Sequence, residues 1–460
     1  MTKKESHLNK CFLIALVFSI ILIFSVSLVY AEWSYVSPPS VGNSWGLNGI
    51  YFKSPSDGWA VGRDITNNKE LLLHYDGSNW SSVTTSSVSG NCVLYGVYFT
   101  SSSDGWAVGG DVANKKGALF YYDGSIWSFV SPPSVSSNWW LYSVYLTSPN
   151  DGWAVGSDNT NHRGVLLHYD GSNWSPVSTP SVSSSWWLNG VYFTSSSDGW
   201  AVGYDGTNNK GLLFYYDGIN WNSVDTPSVS ALWDLLGVYF TSSSDGWAVG
   251  GDYTGPNRKG VLLHYNGSNW NSVSTPSVSS SWWLNGVYFT SSSDGWAVGY
   301  DGTNNKGLLL HYDGSNWSPV STPSVSSNWW LYSVYFTSPN DGWAVGSDNI
   351  NHKGVLLHYS VSTPCTTTLD NDLNLHIPIL SYDNQYFWVD FQYVPNTLNF
   401  TATNAGVVTD ASPYSGCSPA TLSSNLELHI PAVTFNGNSY WLDMTYSQGV
   451  TFTATGAGQN

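Results

Sequence analysis

The phrase SDGWAVG, or a near copy of it, recurs seven times along this 460-residue chain, and its period restricts the fold more than any other feature. Its tryptophans stand at Trp59, Trp106, Trp153, Trp200, Trp247, Trp296 and Trp343, in steps of 47 residues with a single step of 49 around the loop DYTGPNRKG. One unit, read from the sixth repeat, holds four short β candidates separated by turn chemistry. LNGVYFT is followed by SSSDG, GWAVGYD by the polar loop TNNKG, LLLHY by DGSN, and WNSVS ends the unit. Short strands bounded by Asp-Gly and Asn-Gly signals are the grammar of four-stranded antiparallel sheets. Nothing in the unit has a 3.6-residue apolar period long enough for a helix. A repeat of roughly 40–50 residues that is all strand and turn predicts an all-β, seven-bladed β-propeller.

The seventh repeat stops at Gly354–Ser360 and lacks the last strand, whereas Trp33-Ser34-Tyr35-Val36 near the N-terminus matches it. The N-terminal strand is therefore expected to complete the last blade and close the ring, which removes exposed sheet edges. Residues 1–31 read as a signal peptide. Lys3, Lys4 and Lys10 precede an apolar run from Cys11 to Tyr30, and Val29-Tyr30-Ala31 offers a small-residue cleavage site. The run is also long enough to be an uncleaved anchor. Cleavage is the expectation, because an anchor would crowd a ring-packed Trp33. No later stretch is long and apolar enough to span a membrane, so the mature chain is expected to be secreted or held in the cell envelope.

The formal net charge is −17, and loss of the leader removes three lysines and Glu5, which makes the remainder more acidic still. Such a chain repels phosphate backbones and anionic lipid, which argues against nucleic-acid partners. Charged residues are only 10% of the sequence while aromatics reach 16%, so hydroxyls and amides supply its polar surface. Outside the leader the cysteines are Cys92, Cys365 and Cys417, too few for a disulfide-built scaffold. Cys365 and Cys417 open two related segments and could pair. None of the three has metal-ligand spacing, and nothing calls for a cofactor.

The turn phrase YDGSNW, at Tyr75–Trp80, Tyr169–Trp174 and Tyr312–Trp317, resembles the Asp-box hairpin of bacterial neuraminidase-type repeats. Together with GWAVG, it resembles the exported seven-bladed propellers related to photosystem II assembly factors. The likeness spans about residues 33–360. It implies the fold, while activities in such propellers range from sialidases to sorting receptors and assembly factors, so function must be argued from the site.

Two recurrent features fall on the face formed by the loops joining strands d to a and b to c. The first is a tryptophan pair: Trp139-Trp140, Trp186-Trp187, Trp282-Trp283 and Trp329-Trp330, with Trp45 and Trp233 as single versions and Cys92-Val93 in the second repeat. The second is an aspartate opening every b–c loop: Asp64, Asp111, Asp158, Asp205, Asp252, Asp301 and Asp348. As a binding feature these form a ring of shallow pockets suited to sugars, whose C–H faces lie on indole while hydroxyls bond to carboxylates and amides. As a structural feature, one Trp of each pair wedges between blades and the Asp ties its own loop. The mid-strand GWAVG tryptophan reads as inter-blade core. The alternation of His and Tyr at His74, Tyr121, His168, Tyr215, His264, His311 and His358 reads as packing, with no metal expected.

Catalysis needs an asymmetric constellation, yet the fourth and sixth repeats share SSSWWLNGVYFTSSSDGWAVGYDGTNNKGLL without a change, at Ser183–Leu213 and Ser279–Leu309. Arg63, Arg163 and Arg258 are spread over three repeats, so no arginine cluster for an acidic sugar is expected. Equivalent weak sites suit multivalent binding of a glycan or cell-surface polymer. The alternative is a protein scaffold or assembly factor, which would bind through one patch. A glycan-active hydrolase ranks third. The propeller is expected over residues 32–362. A two-copy β module follows at 363–460, with LNLHIP (Leu373–Pro378) in copy 365–410 matching LELHIP (Leu426–Pro431) in copy 417–460.

Overall fold

The computed structural model describes residues 31–85, 91–361, 367–369, 374–382, 385–394, 397–407, 420–423, 425, 427–435, 438–448 and 451–459. Residues 1–30 of the expected leader and the expected Cys365–Cys417 pair lie outside these residues. Among the described residues no helix is long and apolar enough to cross a membrane. One unit spans Glu32–Ser360, and the described strands after Val361 belong to another.

Each repeat becomes one antiparallel sheet. In blade I the strands are a (Trp45–Ser54), b (Asp57–Asp64), c (Lys69–Tyr75) and d (Trp80–Val83), hydrogen-bonded in that order. Blades II to VI repeat the order. In blade VII, Trp329–Ser338, Asp341–Asp348 and Lys353–Val361 take places a to c, and Ala31–Tyr35 pairs with Lys353–Val361 in the fourth place. The c–d turns follow from their sequence. Asp76 Oδ1 accepts the Ser78 and Asn79 amides at 2.9 and 2.7 Å, and Gly77 adopts a φ of 94°, which a side chain would resist.

The apolar core lies between blades. Trp59, Val61 and Leu72 of blade I pack with Cys92, Leu94, Phe99 and Phe120 of blade II, and Trp343, Val345 and Leu356 of blade VII pack with Trp45, Leu47 and Phe52 of blade I. Every GWAVG tryptophan is buried and meets the strand-d tryptophan of the next blade edge to face. The ring centroids of Trp59–Trp127, Trp106–Trp174, Trp153–Trp221, Trp200–Trp270, Trp247–Trp317 and Trp343–Trp80 lie 5.3–5.4 Å apart. Trp33 makes the corresponding contact with Trp296 at 5.5 Å. T-shaped pairs of this kind add about 0.5–1.5 kcal/mol each beyond the area they bury.

The leading tryptophan of each d–a pair belongs to the same core. Trp45, Trp139, Trp186, Trp233, Trp282 and Trp329 are at most 2% exposed. Each lies over a strand-c glycine of the preceding blade: Gly354, Gly117, Gly164, Gly211, Gly260 and Gly307 have no room for a Cβ, which would sit 2.0–2.2 Å from the indole. Blade I breaks this pattern on both sides at once. Its strand c carries Glu70 where the others have glycine, and the residue facing it from blade II is Cys92, not tryptophan. Glu70 is 7% exposed and its Oε1 accepts the Thr85 hydroxyl at 2.5 Å. Burial, then the nearby Glu70 and Asp111 carboxylates, push the Cys92 thiol up to about 12.

Strand a is not regular. Its pairing with strand b skips one residue between Leu47 and Gly49, and at the matching place in every blade. The bulged residues are Asn48, Tyr95, Tyr142, Asn189, Leu236, Asn285 and Tyr332. Three residues on, Tyr51, Tyr98, Tyr145, Tyr192, Tyr239, Tyr288 and Tyr335 form a closed heptagon, each ring 4.6–5.0 Å from its two neighbours. The heptagon includes the step from blade VII to blade I.

The C-terminal unit is one eight-stranded sheet with a shared core. Asn374–Tyr382, Gln385–Tyr393 and Asn399–Val407 of the first copy match Glu427–Phe435, Asn438–Gln448 and Thr451–Gln459 of the second. Thr367–Leu369 pairs in parallel with Glu427–Phe435, and Ala420–Leu422 with Asn374–Tyr382, so each copy lends its first strand to the other. Leu375, Ile377 and Phe391 share a core with Leu428, Ile430 and Met444. The matched histidines His376 and His429 bond across strands to Asp390 and Asp443.

Candidate functional site

The b–c aspartates are anchored within their loops. In blade IV, Asp205 accepts the Thr207 and Asn208 amides at 3.1 Å, the Asn208 side-chain amide at 2.7 Å and the Ser183 hydroxyl of the d–a loop at 2.7 Å. Asp158, Asp301 and Asp348 repeat this set, Asp111 repeats its intraloop part, and Asp64 accepts the main-chain and side-chain amides of Asn67 alone within its loop. Asp252, in the longer loop of blade V, is less buried and accepts the Thr254 amide. For Asp158, Asp205, Asp301 and Asp348 burial alone would raise the carboxyl, but the Ser, Asn and backbone donors outweigh it and hold each below its ordinary value.

With the leading tryptophans in the core, the side chains that surround the axis on this face are the second residues of strand a: Gly46, Val93, Trp140, Trp187, Asp234, Trp283 and Trp330. Gly46, Trp140, Trp283 and Trp330 lie against the end of strand b in the preceding blade, whereas Trp187 packs on Tyr204 of its own blade. Trp140 covers Gly110, Trp330 stacks on Tyr300 at 3.9 Å with 6° between planes, and Gly46 faces Ser347. Trp283 also carries the Arg258 guanidinium, 4.9 Å from its ring centroid. Trp140, Trp187 and Trp330 are half-buried, whereas Trp283 is nearly covered. Asp234 accepts the Gly251 amide at 3.0 Å and the Tyr253 hydroxyl at 3.3 Å. Burial pushes its carboxyl up to about 6 despite those donors. The rim is thus uneven: aromatic on blades III, IV, VI and VII, acidic on V, and small on I and II.

Below the rim the bulged residues and their two successors line an axial cavity of about 500 Å³. Asn48, Asn189 and Asn285 each donate the side-chain amide to a main-chain carbonyl of the next blade, Leu94, Leu235 and Leu331, at 2.7–2.8 Å. Tyr142 is bonded to Ser157 at 2.9 Å, and Tyr332 to Ser347. The tyrosine heptagon follows along strand a; burial raises every one of its hydroxyls above the ordinary range, and at Tyr51, Tyr98, Tyr192 and Tyr288 the neighbouring tyrosines raise it further. Neither the bulged positions nor the heptagon was singled out by sequence reasoning. The available signal was the phrase LxxVYF, whose apolar positions break strict alternation.

The opposite face holds the alternating His and Tyr. His74, His168, His264, His311 and His358 donate to Asp57, Asp151, Asp245, Asp294 and Asp341 of the a–b turns at 2.7–2.9 Å, and lie against the GWAVG indoles at 4.2–4.5 Å. Each dyad is complete within one blade, and among the described residues no three ligating side chains gather around a metal position.

These features define a seven-bladed β-propeller with an uneven aromatic rim over an axial well. No protein-family model and no curated protein matches the chain. Solved structures do. YCF48 from Cyanidioschyzon merolae is 18% identical with a TM-score of 0.53, over 72% of this chain and 99% of that one. YCF48 bound to D1 peptide is 17% identical with a TM-score of 0.50, over 72% and 97%. The GH74 xyloglucanase from Xanthomonas campestris is 11% identical with a TM-score of 0.50, over 90% and 74%. Likeness at this identity establishes the fold that this chain shares with YCF48.

Proposed function

We propose that this chain is a non-catalytic recognition protein, acting at or outside the cell envelope, whose rim binds a polypeptide segment. One observation carries the reading: a near-repeating scaffold presents an uneven rim. Seven matching positions hold four tryptophans, an aspartate, a valine and a glycine. A multivalent lectin needs like pockets, whereas a scaffold needs one patch. Burial of all six leading tryptophans takes away the most regular of the expected sugar platforms. That one solved propeller of this fold holds a peptide is in keeping with the reading. The proposal includes the N-terminal strand as the fastening of the ring, supported by the Trp33–Trp296 contact.

Carbohydrate binding is the second reading, favoured by the half-buried indoles of Trp140, Trp187 and Trp330. A hydrolase has the least support. Paired peptide and glycan arrays separate the first two, probed with the parent and with Trp140→Ser/Trp187→Ser. The expected result is peptide binding that the variant loses while its thermal unfolding matches the parent. Glycan binding lost in the same variant, with silent peptide arrays, would replace the first reading by the second.

A further inference from the structure

We propose that the axial well binds a primary alkylammonium group, seated among the side-chain amide oxygens of Asn48, Asn189 and Asn285. Bulges re-aim side chains, and here one bulge per blade supplies the upper wall of a cavity of about 500 Å³. The orientation of these amides follows from chemistry. Each points one end at a main-chain carbonyl, which only an N–H can satisfy, so the NH₂ is committed and the oxygen is the acceptor left to the cavity. The three stand on blades I, IV and VI, separated by three, two and two blades around the ring, which is close to threefold spacing. An alkylammonium offers three donors and no acceptor.

The remaining wall suits a cation. Tyr142 and Tyr332 occupy the bulge on two other blades, and tyrosine faces attract cations, while Tyr95 on a third already has the Arg63 guanidinium nearby. The net charge of −17 draws cations toward the surface. Of the charged groups at the rim, Asp234 is acidic, Arg63 is held by Asn91 at 2.7 Å, and Arg258 lies over Trp283. Blade V carries Leu236 at the bulge, so the fold already accepts leucine there.

The group could come from a lysine side chain or a free amine, and calorimetric titration of the full chain separates them. The probes are n-butylammonium, butan-1-ol, and a capped Gly-Gly-Lys-Gly-Gly peptide with its Nε-acetylated form. Butylammonium is expected to bind at least tenfold tighter than butanol. Asn48→Leu/Asn189→Leu/Asn285→Leu should weaken it tenfold or more, and Leu236→Asn should tighten it severalfold. A lysine peptide that outbinds butylammonium and loses affinity on acetylation supports a polypeptide source, whereas the reverse order supports a free amine. Equal binding of butanol and butylammonium overturns the proposal, as does unchanged amine affinity in a folded triple variant. Should the triple variant not fold, unchanged affinity in both Asn285→Leu and Leu236→Asn overturns it equally. Peptide capture at the rim without amine binding would defeat this inference alone and leave the rim reading standing.

Discussion

The paired exception between blades I and II can be tested by exchanging it for the rule. Six blade interfaces seat a tryptophan over a glycine, where an added Cβ would come within 2.0–2.2 Å of the indole. Glu70 facing Cys92 is the remaining interface, with both residues altered together. Cys92→Trp alone drives an indole into the space of Glu70, and overpacking of this kind costs about 1–3 kcal/mol. Glu70→Gly alone empties about 60–80 Å³, which at about 24 cal/mol per Å³ costs about 1.5–2 kcal/mol. Relief of the unpartnered Glu70 Oε2 offsets part of that loss. The double variant restores the arrangement of the other six interfaces and should fall within about 1 kcal/mol of the parent, a coupling of about 2–3 kcal/mol. Guanidinium unfolding followed by tryptophan fluorescence measures all four proteins. Additivity within about 0.5 kcal/mol would falsify the claim that Glu70 fills the missing tryptophan's place.

Other outcomes follow from single groups. Asp158, Asp205, Asp301 and Asp348 are held below their ordinary value. Their contribution is therefore complete above the unfolded carboxylate value of about 3.9 and fades as pH falls through the lower folded values. Asp205→Asn should flatten the acid limb of stability against pH, and an unchanged limb would contradict this. Asp234, at about 6, has the opposite sign: its penalty is full above that pH and is relieved on acidification toward the unfolded value. Asp234→Asn should then stabilise the chain at pH 7.5 by about 2 kcal/mol and lose that advantage near pH 4, as denaturant titration at both pH values would report. Trp33→Ala should cost about 3–5 kcal/mol, and a loss under 1 kcal/mol by calorimetry would mean that the N-terminal strand does not secure the ring.

The blade count, the strand order and the inter-blade place of the GWAVG tryptophan were legible because each repeats with the period and sits in apolar alternation. Burial of the leading Trp of each pair was legible only as one of two readings. The fact that decides it, the glycine at the start of strand c, lies in a neighbouring repeat and acts across an interface that no single unit displays. The bulge was hidden because Asn, Tyr and Leu interchange at its position, so residue type gives no pattern there. The tyrosine heptagon was hidden for the opposite reason: five copies of VYF, with IYF in blade I and VYL in blade III, read as ordinary strand, and only the ring brings their tyrosines together.

The strand pair between Ala31–Tyr35 and Lys353–Val361 also fixes how the propeller answers to force. Ser34 bonds to the carbonyl of His358, and the Val36 amide to that of Leu356, so the two segments run in opposite directions. Ala31 and Val361 therefore lie at the same end of one strand pair. Tension between the chain ends opens that pair one bond at a time, like a zipper, and never loads its hydrogen bonds together in shear. If that strand fastens the ring, as proposed above, then the outermost strand of blade VII is where an applied tension would act first.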